Sequence, residues 1–131
     1  MYFIPSFNLV RRRTTIVKVN GKSKINISYE DFTEIVKLLL RGAAIDEKWY
    51  IQQYPDVADA VAAGVYKSAR HHFIEVGYFE GRRPGELEVD EKWYLETYPD
   101  VAEGIGKGII QSARQHFHEH GYEEGRLAAA L

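Results

Sequence analysis

The chain contains no cysteine, which excludes disulfide staples, thiolate nucleophiles and cysteine-ligated metals. It also lacks an apolar run of the roughly 20 residues that a membrane-crossing helix needs. The opening MYFIPSFNLVRRR puts its basic cluster after a short, proline-broken apolar stretch. A secretory signal has the reverse order and a longer apolar region, so a soluble, cytoplasmic chain is expected. There is no overall excess of positive charge: 17 Lys/Arg stand against 19 Asp/Glu. That balance disfavours nucleic acid as the main partner. The chain carries no P-loop, dinucleotide fingerprint, nucleophile elbow or pair of catalytic carboxylates, so neither a cofactor nor an enzymatic reaction is expected.

What is present is a duplication. Residues 46–82 read DEKWYIQQYPDVADAVAAGVYKSARHHFIEVGYFEGR, and residues 90–126 read DEKWYLETYPDVAEGIGKGIIQSARQHFHEHGYEEGR. The offset is 44 without a gap, and 22 of the 37 aligned positions are identical. Regular tandem copies indicate one supersecondary unit used twice, each copy helping to bury its neighbour. At 131 residues with 45% hydrophobic content, the chain can form one compact assembly of such units. Charge divides with the organisation. Residues 1–45 hold eight basic and three acidic side chains, a net +5, and residues 46–131 hold nine and sixteen, a net −7. The basic segment is expected to pack on acidic repeats, in the same chain or in another copy.

Residues 14–19 and 22–27 alternate on either side of Asn20-Gly21, a strong hairpin signal because both central residues of a type I′ turn need positive φ. Val17 and Val19 are expected on one face with Ile25 and Ile27. A lone hairpin is marginal, so a helix or a second chain should cover it. Ser28 reads as the cap of a helix whose stripe is Phe32, Ile35, Val36, Leu39 and Leu40, ended by Gly42. Each repeat then divides into three short helices. Asp46 and Asp90 cap the first, Pro55 and Pro99 open the second, Gly64 and Gly108 end it, and Ser68 and Ser112 cap the third, which Gly77 and Gly121 close. Arg83-Pro84-Gly85-Glu86 is the joining linker, and the tail from Leu127 to Leu131 is expected to continue as a helix or dock on a neighbour.

The shared pattern W-Y-x3-Y-P-D-V-A, a Gly, then S-A-x2-H-F-x3-G-Y-x-E-G-R resembles a short helical repeat of bacterial proteins, found alone, in tandem, or attached to glycosyltransferases and cell-surface proteins. Both copies match at Trp49/Trp93, Tyr54/Tyr98, Pro55/Pro99, Asp56/Asp100, Ser68/Ser112, His72/His116 and Gly77/Gly121. The resemblance spans residues 46–126. It implies a helical repeat and a polysaccharide-associated setting, but no catalytic role.

Duplicated residues are weighed first as framework. Trp49 and Trp93, with Tyr50, Tyr54, Tyr94 and Tyr98, could stack on sugar rings, but a small helical core needs such anchors. His72 and His116 are expected to bond a carbonyl or a carboxylate such as Asp56 or Asp100. Arg82 and Arg126 could hold an anion, though a fork-shaped bridge to Asp56 and Asp100 explains the duplication better. His116, His118 and His120 form the one metal-like cluster. His116 and His120 share a helix face and are the candidate ligands, with Glu119 and Glu124 nearby. Repeat 1 has Ile74 and Val76 where His118 and His120 stand. Arg11, Arg12 and Arg13 are either a solvated run or a phosphate-contacting arm.

The expected architecture is therefore mainly α: a β-hairpin and helix over residues 1–45, then helical repeats over 46–84 and 85–131. The expected function is a non-catalytic protein–protein interaction or assembly module, self-associating, in a bacterial envelope or polysaccharide context. Its candidate contact residues are Arg11, Arg12, Arg13, Trp49 and Trp93. The alternatives are a carbohydrate-binding module using Trp and Tyr, and a nucleic-acid-binding regulator acting through the basic hairpin.

Overall fold

The computed structural model describes residues 4–131 and is mainly α, with one two-stranded antiparallel sheet. It divides into two compact units, residues 1–45 and residues 46–131.

The first unit begins with a short helix that no sequence pattern announces, α1 (Phe7–Arg11), capped by the Ser6 hydroxyl accepting from the Leu9 N–H. Strands β1 (Thr15–Val19) and β2 (Lys22–Asn26) follow. Between them Asn20 and Gly21 take φ of 53° and 75°, the pair of left-handed conformations a type I′ turn demands. The register pairs Ile16 with Ile25, Val17 with Lys24 and Val19 with Lys22. The expected alignment of Val17 and Val19 with Ile25 is thus off by one residue, which in a strand exchanges faces. All ten strand residues are exposed. Helix α2 (Tyr29–Leu40) starts where Ser28 accepts from the Asp31 N–H. Its buried residue is Leu38, while Phe32 and Leu39 of the expected stripe are exposed.

The second unit is one short design built twice. In repeat 1, α3 (Glu47–Gln53) is capped by Asp46, whose carboxylate accepts from the Trp49 N–H. Helix α4 (Pro55–Ala62) starts on Pro55 and ends in a Schellman closure, Val65 N–H to Ala60 carbonyl and Gly64 N–H to Val61 carbonyl. Helix α5 (Ala69–His72), capped by Ser68, runs directly into a π-helical turn, Phe73–Gly77. Repeat 2 reproduces this with α6 (Glu91–Thr97), α7 (Pro99–Gly106), α8 (Ala113–His116) and the π-helical turn Phe117–Gly121.

Each repeat closes on itself. The Arg83 N–H donates to the Tyr54 hydroxyl, and the Asp46 N–H donates to the Pro84 carbonyl. One repeat later, the Leu127 N–H donates to Tyr98 and the Asp90 N–H to the Ala128 carbonyl. The tail therefore does not continue as a helix: Leu127 and Ala128 supply the closing strap of repeat 2, and Ala128 packs on that core.

Each repeat also has its own core: Tyr50, Val57, Ala69 and Phe73 in one, Tyr94, Val101, Ala113 and Phe117 in the other. Tyr50 and Tyr94 are 0% exposed. Their rings meet Phe73 and Phe117 edge-on at 5.7 and 5.9 Å, a favoured aromatic geometry. Burying a phenol requires a partner for its oxygen. Tyr50 shares a 2.9 Å hydrogen bond with His72 Nδ1, and Tyr94 a 2.8 Å bond with His116 Nδ1. The histidines thus bond tyrosine hydroxyls rather than the carbonyl or carboxylate expected of them. Glycine is required beside each pair, because a Cβ on Gly77 or Gly121 would overlap the Tyr50 or Tyr94 hydroxyl.

Gly77→Ala should cost about 1–3 kcal/mol of stability through this overlap, measured by denaturant unfolding. In a Tyr50→Phe background the oxygen is gone, so the same substitution should cost less. Equal costs in the two backgrounds would show that the hydroxyl is not what excludes the methyl group.

Candidate functional site

Most polar groups that recur at the 44-residue offset are consumed inside their own repeat. Arg82 grips Asp56 with two bonds of 2.9 and 2.7 Å, and Arg126 grips Asp100 with two of 3.0 and 2.7 Å. The guanidiniums lie 4.9 Å from the Tyr54 and Tyr98 ring centroids. The Arg82 hydrogen bond holds the Asp56 carboxyl below its ordinary range, and Arg126 does the same for Asp100. Exposed pairs of this kind contribute at most about 1 kcal/mol, so they latch the C-terminal turn of each repeat rather than drive folding. Glu47 and Glu91 each accept from the N–H of Arg70 or Arg114, at the start of α5 or α8. The Glu-Gly-Arg ends are structural bridges, as their duplication suggested.

The three histidines of the candidate metal cluster are engaged differently. His116 Nδ1 is engaged by Tyr94, and His118 Nε2 donates 2.8 Å to the Leu87 carbonyl. The exposed His120 ring lies 5.7 Å from the His116 ring, centroid to centroid. Among the described residues no group of three or more His, Asp or Glu side chains is arranged to hold a metal. In repeat 1 the corresponding histidine, His72, is instead flanked by Tyr66 at 4.7 Å. Ile110 stands in place of Tyr66 in repeat 2, filling space that only a glycine at position 104 leaves open.

Trp49 and Trp93 are half-buried, each edge-on to its own repeat's tyrosine, Tyr54 or Tyr98, at 6.1 Å. They differ in what covers them. Trp49 Nε1 donates to Glu86, and the Arg83 guanidinium sits 5.0 Å over its ring. The counterparts of Glu86 and Arg83 in repeat 2 are Ala130 and Leu127, and Trp93 Nε1 makes no hydrogen bond among the described residues. Arg11, Arg12 and Arg13 are exposed at the end of α1 and in the turn before β1.

Two features were not anticipated. The first is Glu86, which joins the repeats: it accepts from Trp49 of repeat 1 and at 3.0 Å from Arg114 of repeat 2, with His118 Nδ1 3.7 Å away. Burial raises its pKa, but the Trp49 hydrogen bond and the charges of His118, Arg83 and Arg114 outweigh this and hold it below the ordinary value. The second is a cleft of about 480 Å³ between the two Gly-Tyr-x-Glu-Gly turns, lined by Tyr78, Phe79, Glu80, Gly81, Tyr122 and Glu123. Its only sequence signal is the replacement of Phe79 by Glu123 between the copies.

No protein-family model matches the chain, and no curated protein or solved structure does so either. No helix among the described residues is long and apolar enough to cross a membrane.

The buried histidines set an acid response. Burial, then the charge of Arg82 or Arg126, holds His72 and His116 below their ordinary 6.5. A histidine kept neutral by folding takes up a proton more readily when unfolded. Its contribution is therefore complete above about pH 6.5 and is lost as pH falls through the lower folded value. The Asp56 and Asp100 contributions are lost only in more acid solution, below their ordinary 3.8. The thermal midpoint should thus fall between pH 7 and pH 5. His72→Gln with His116→Gln should flatten that slope, and an unchanged slope in the double variant would contradict the assignment. Separately, Glu86→Ala should cost at most about 1 kcal/mol and red-shift the Trp49 emission.

Proposed function

We propose that the chain is a non-catalytic assembly module that self-associates through its N-terminal unit, with the two repeats as its scaffold. The observation that carries this reading is the hairpin. Both strands are exposed along their whole length, the Ile16–Ile25 pair is 45% and 60% exposed, and each strand keeps one unpaired edge. Such an edge is a template for another strand, and a free two-stranded ribbon is only marginally stable. Tyr29, Phe32 and Leu39 add an exposed apolar set on α2. The repeats support the non-catalytic part of the reading, since their duplicated polar groups are spent on closing each copy. The repeat signature supports a bacterial, polysaccharide-associated setting through its resemblance to helical repeats of that kind.

A carbohydrate-binding reading rests on a single observation, the half-buried Trp93 whose indole N–H is unspent. It predicts quenching of Trp93 fluorescence by soluble glucans in a Trp49→Phe variant.

For the assembly reading, light scattering should give a mass that rises with concentration above that of the monomer. Ile16→Lys with Ile25→Lys should return it to monomer while leaving the repeats folded by circular dichroism. A strict monomer at millimolar concentration would remove the reading.

A further inference from the structure

We propose that the cleft between the two Gly-Tyr-x-Glu-Gly turns is a binding site for a cationic side chain, a guanidinium or alkylammonium presented by a peptide. Three aromatic rings line it, from Tyr78, Phe79 and Tyr122, together with the carboxylates of Glu80 and Glu123. Tyr78 and Phe79 are 42% and 37% exposed, so their rings are open to a ligand. An aromatic face attracts a cation through its quadrupole, and a neighbouring carboxylate adds charge and a hydrogen-bond acceptor.

The carboxylates are not equivalent. Glu80 lies 3.7 Å from the Arg82 guanidinium, so its charge is partly answered within repeat 1. Glu123 makes no hydrogen bond or ion pair among the described residues, and its side chain lies over Gly81 on the opposite wall. Phe79 and Glu123 are the same position of the repeat with different residues. Framework needs explain residues that recur at the 44-residue offset, and they do not explain this exchange. A cleft that receives an aromatic ring from one copy and a free carboxylate from the other is built only when both copies are present.

Ring geometry decides between a cation and a sugar. Tyr78 and Phe79 are perpendicular, 89° apart at 5.5 Å between centroids. That arrangement forms two walls of a corner, which suits a compact cation, whereas a pyranose stacks on one open flat face. The surrounding residues 46–131 carry a net −7, nine basic against sixteen acidic side chains, which draws in a cationic peptide at low salt.

The test titrates the full chain with Ac-Arg-Arg-Arg-NH2, following backbone amide shifts by NMR. Saturable shifts should centre on Tyr78, Phe79, Gly81, Tyr122 and Glu123, and the affinity should fall with added salt. The neutral isostere Ac-Cit-Cit-Cit-NH2, with citrulline at each position, should bind at least tenfold more weakly. Glu123→Gln and Phe79→Ala lie outside both cores, should keep the native circular dichroism, and should each weaken binding about tenfold, roughly what one cation–π or charge contact supplies. Equal binding of the citrulline peptide would overturn the proposal. So would shifts spread over the acidic surface that survive Phe79→Ala, or saturation of the cleft by maltotriose with no response to the arginine peptide.

Discussion

The repeat architecture depends on one buried polar contact, the tyrosine hydroxyl on the histidine ring in the space that a glycine leaves. A unit of some 40 residues has too little interior to bury a large core, and a fully enclosed tyrosine supplies much of what it has. That choice leaves a phenol oxygen out of water, which would be costly without a partner. His72 and His116 supply one, and Gly77 and Gly121 permit the approach. The surrounding features hold these three positions in register: Asp caps on the tyrosine helix, Ser caps on the histidine helix, a π-helical turn ending at the glycine, and an Arg–Asp latch after it.

With those groups spent, the duplicated residues become poor candidates for chemistry. Metal binding at His116 would compete with the Tyr94 bond that completes a core. Sugar stacking on Trp49 would require displacing Glu86 and Arg83. Chemistry that is not framework lies where the symmetry breaks: in Glu86, which links the copies, in the cleft where Phe79 faces Glu123, and in the hairpin, which has no duplicate. Glu86 is also one of the points at which the repeats touch. Each builds its own core, and they meet through the linker and the Gly-Tyr turns.

Much of this fold was legible in the sequence because it is written in local signals. Asp46, Ser68, Pro55, Gly64 and Asn20-Gly21 each act within a few residues, and each does what its type implies. The Arg82–Asp56 bridge was legible because both members recur together. Long-range choices were less so. The hairpin register depends on turn geometry rather than on the spacing of its apolar residues, so Ile25 faces Ile16 instead of Val17. The partner of His72 lies 22 positions away, and nothing around it separates a hydroxyl from a carboxylate. Helix α1 is five residues long, too short to show a period. The cleft joins turns 44 residues apart, and only the mismatch of Phe79 with Glu123 hinted at it.

The molecule divides into a self-satisfied scaffold and an unsatisfied ribbon, and amide hydrogen exchange as a function of protein concentration tests that division most directly. The amides of β1 and β2 should gain protection as concentration rises, while those of residues 46–131 stay protected and unchanged. Hairpin amides that exchange at the same rate at every concentration, or a concentration-dependent gain confined to the repeats, would contradict it.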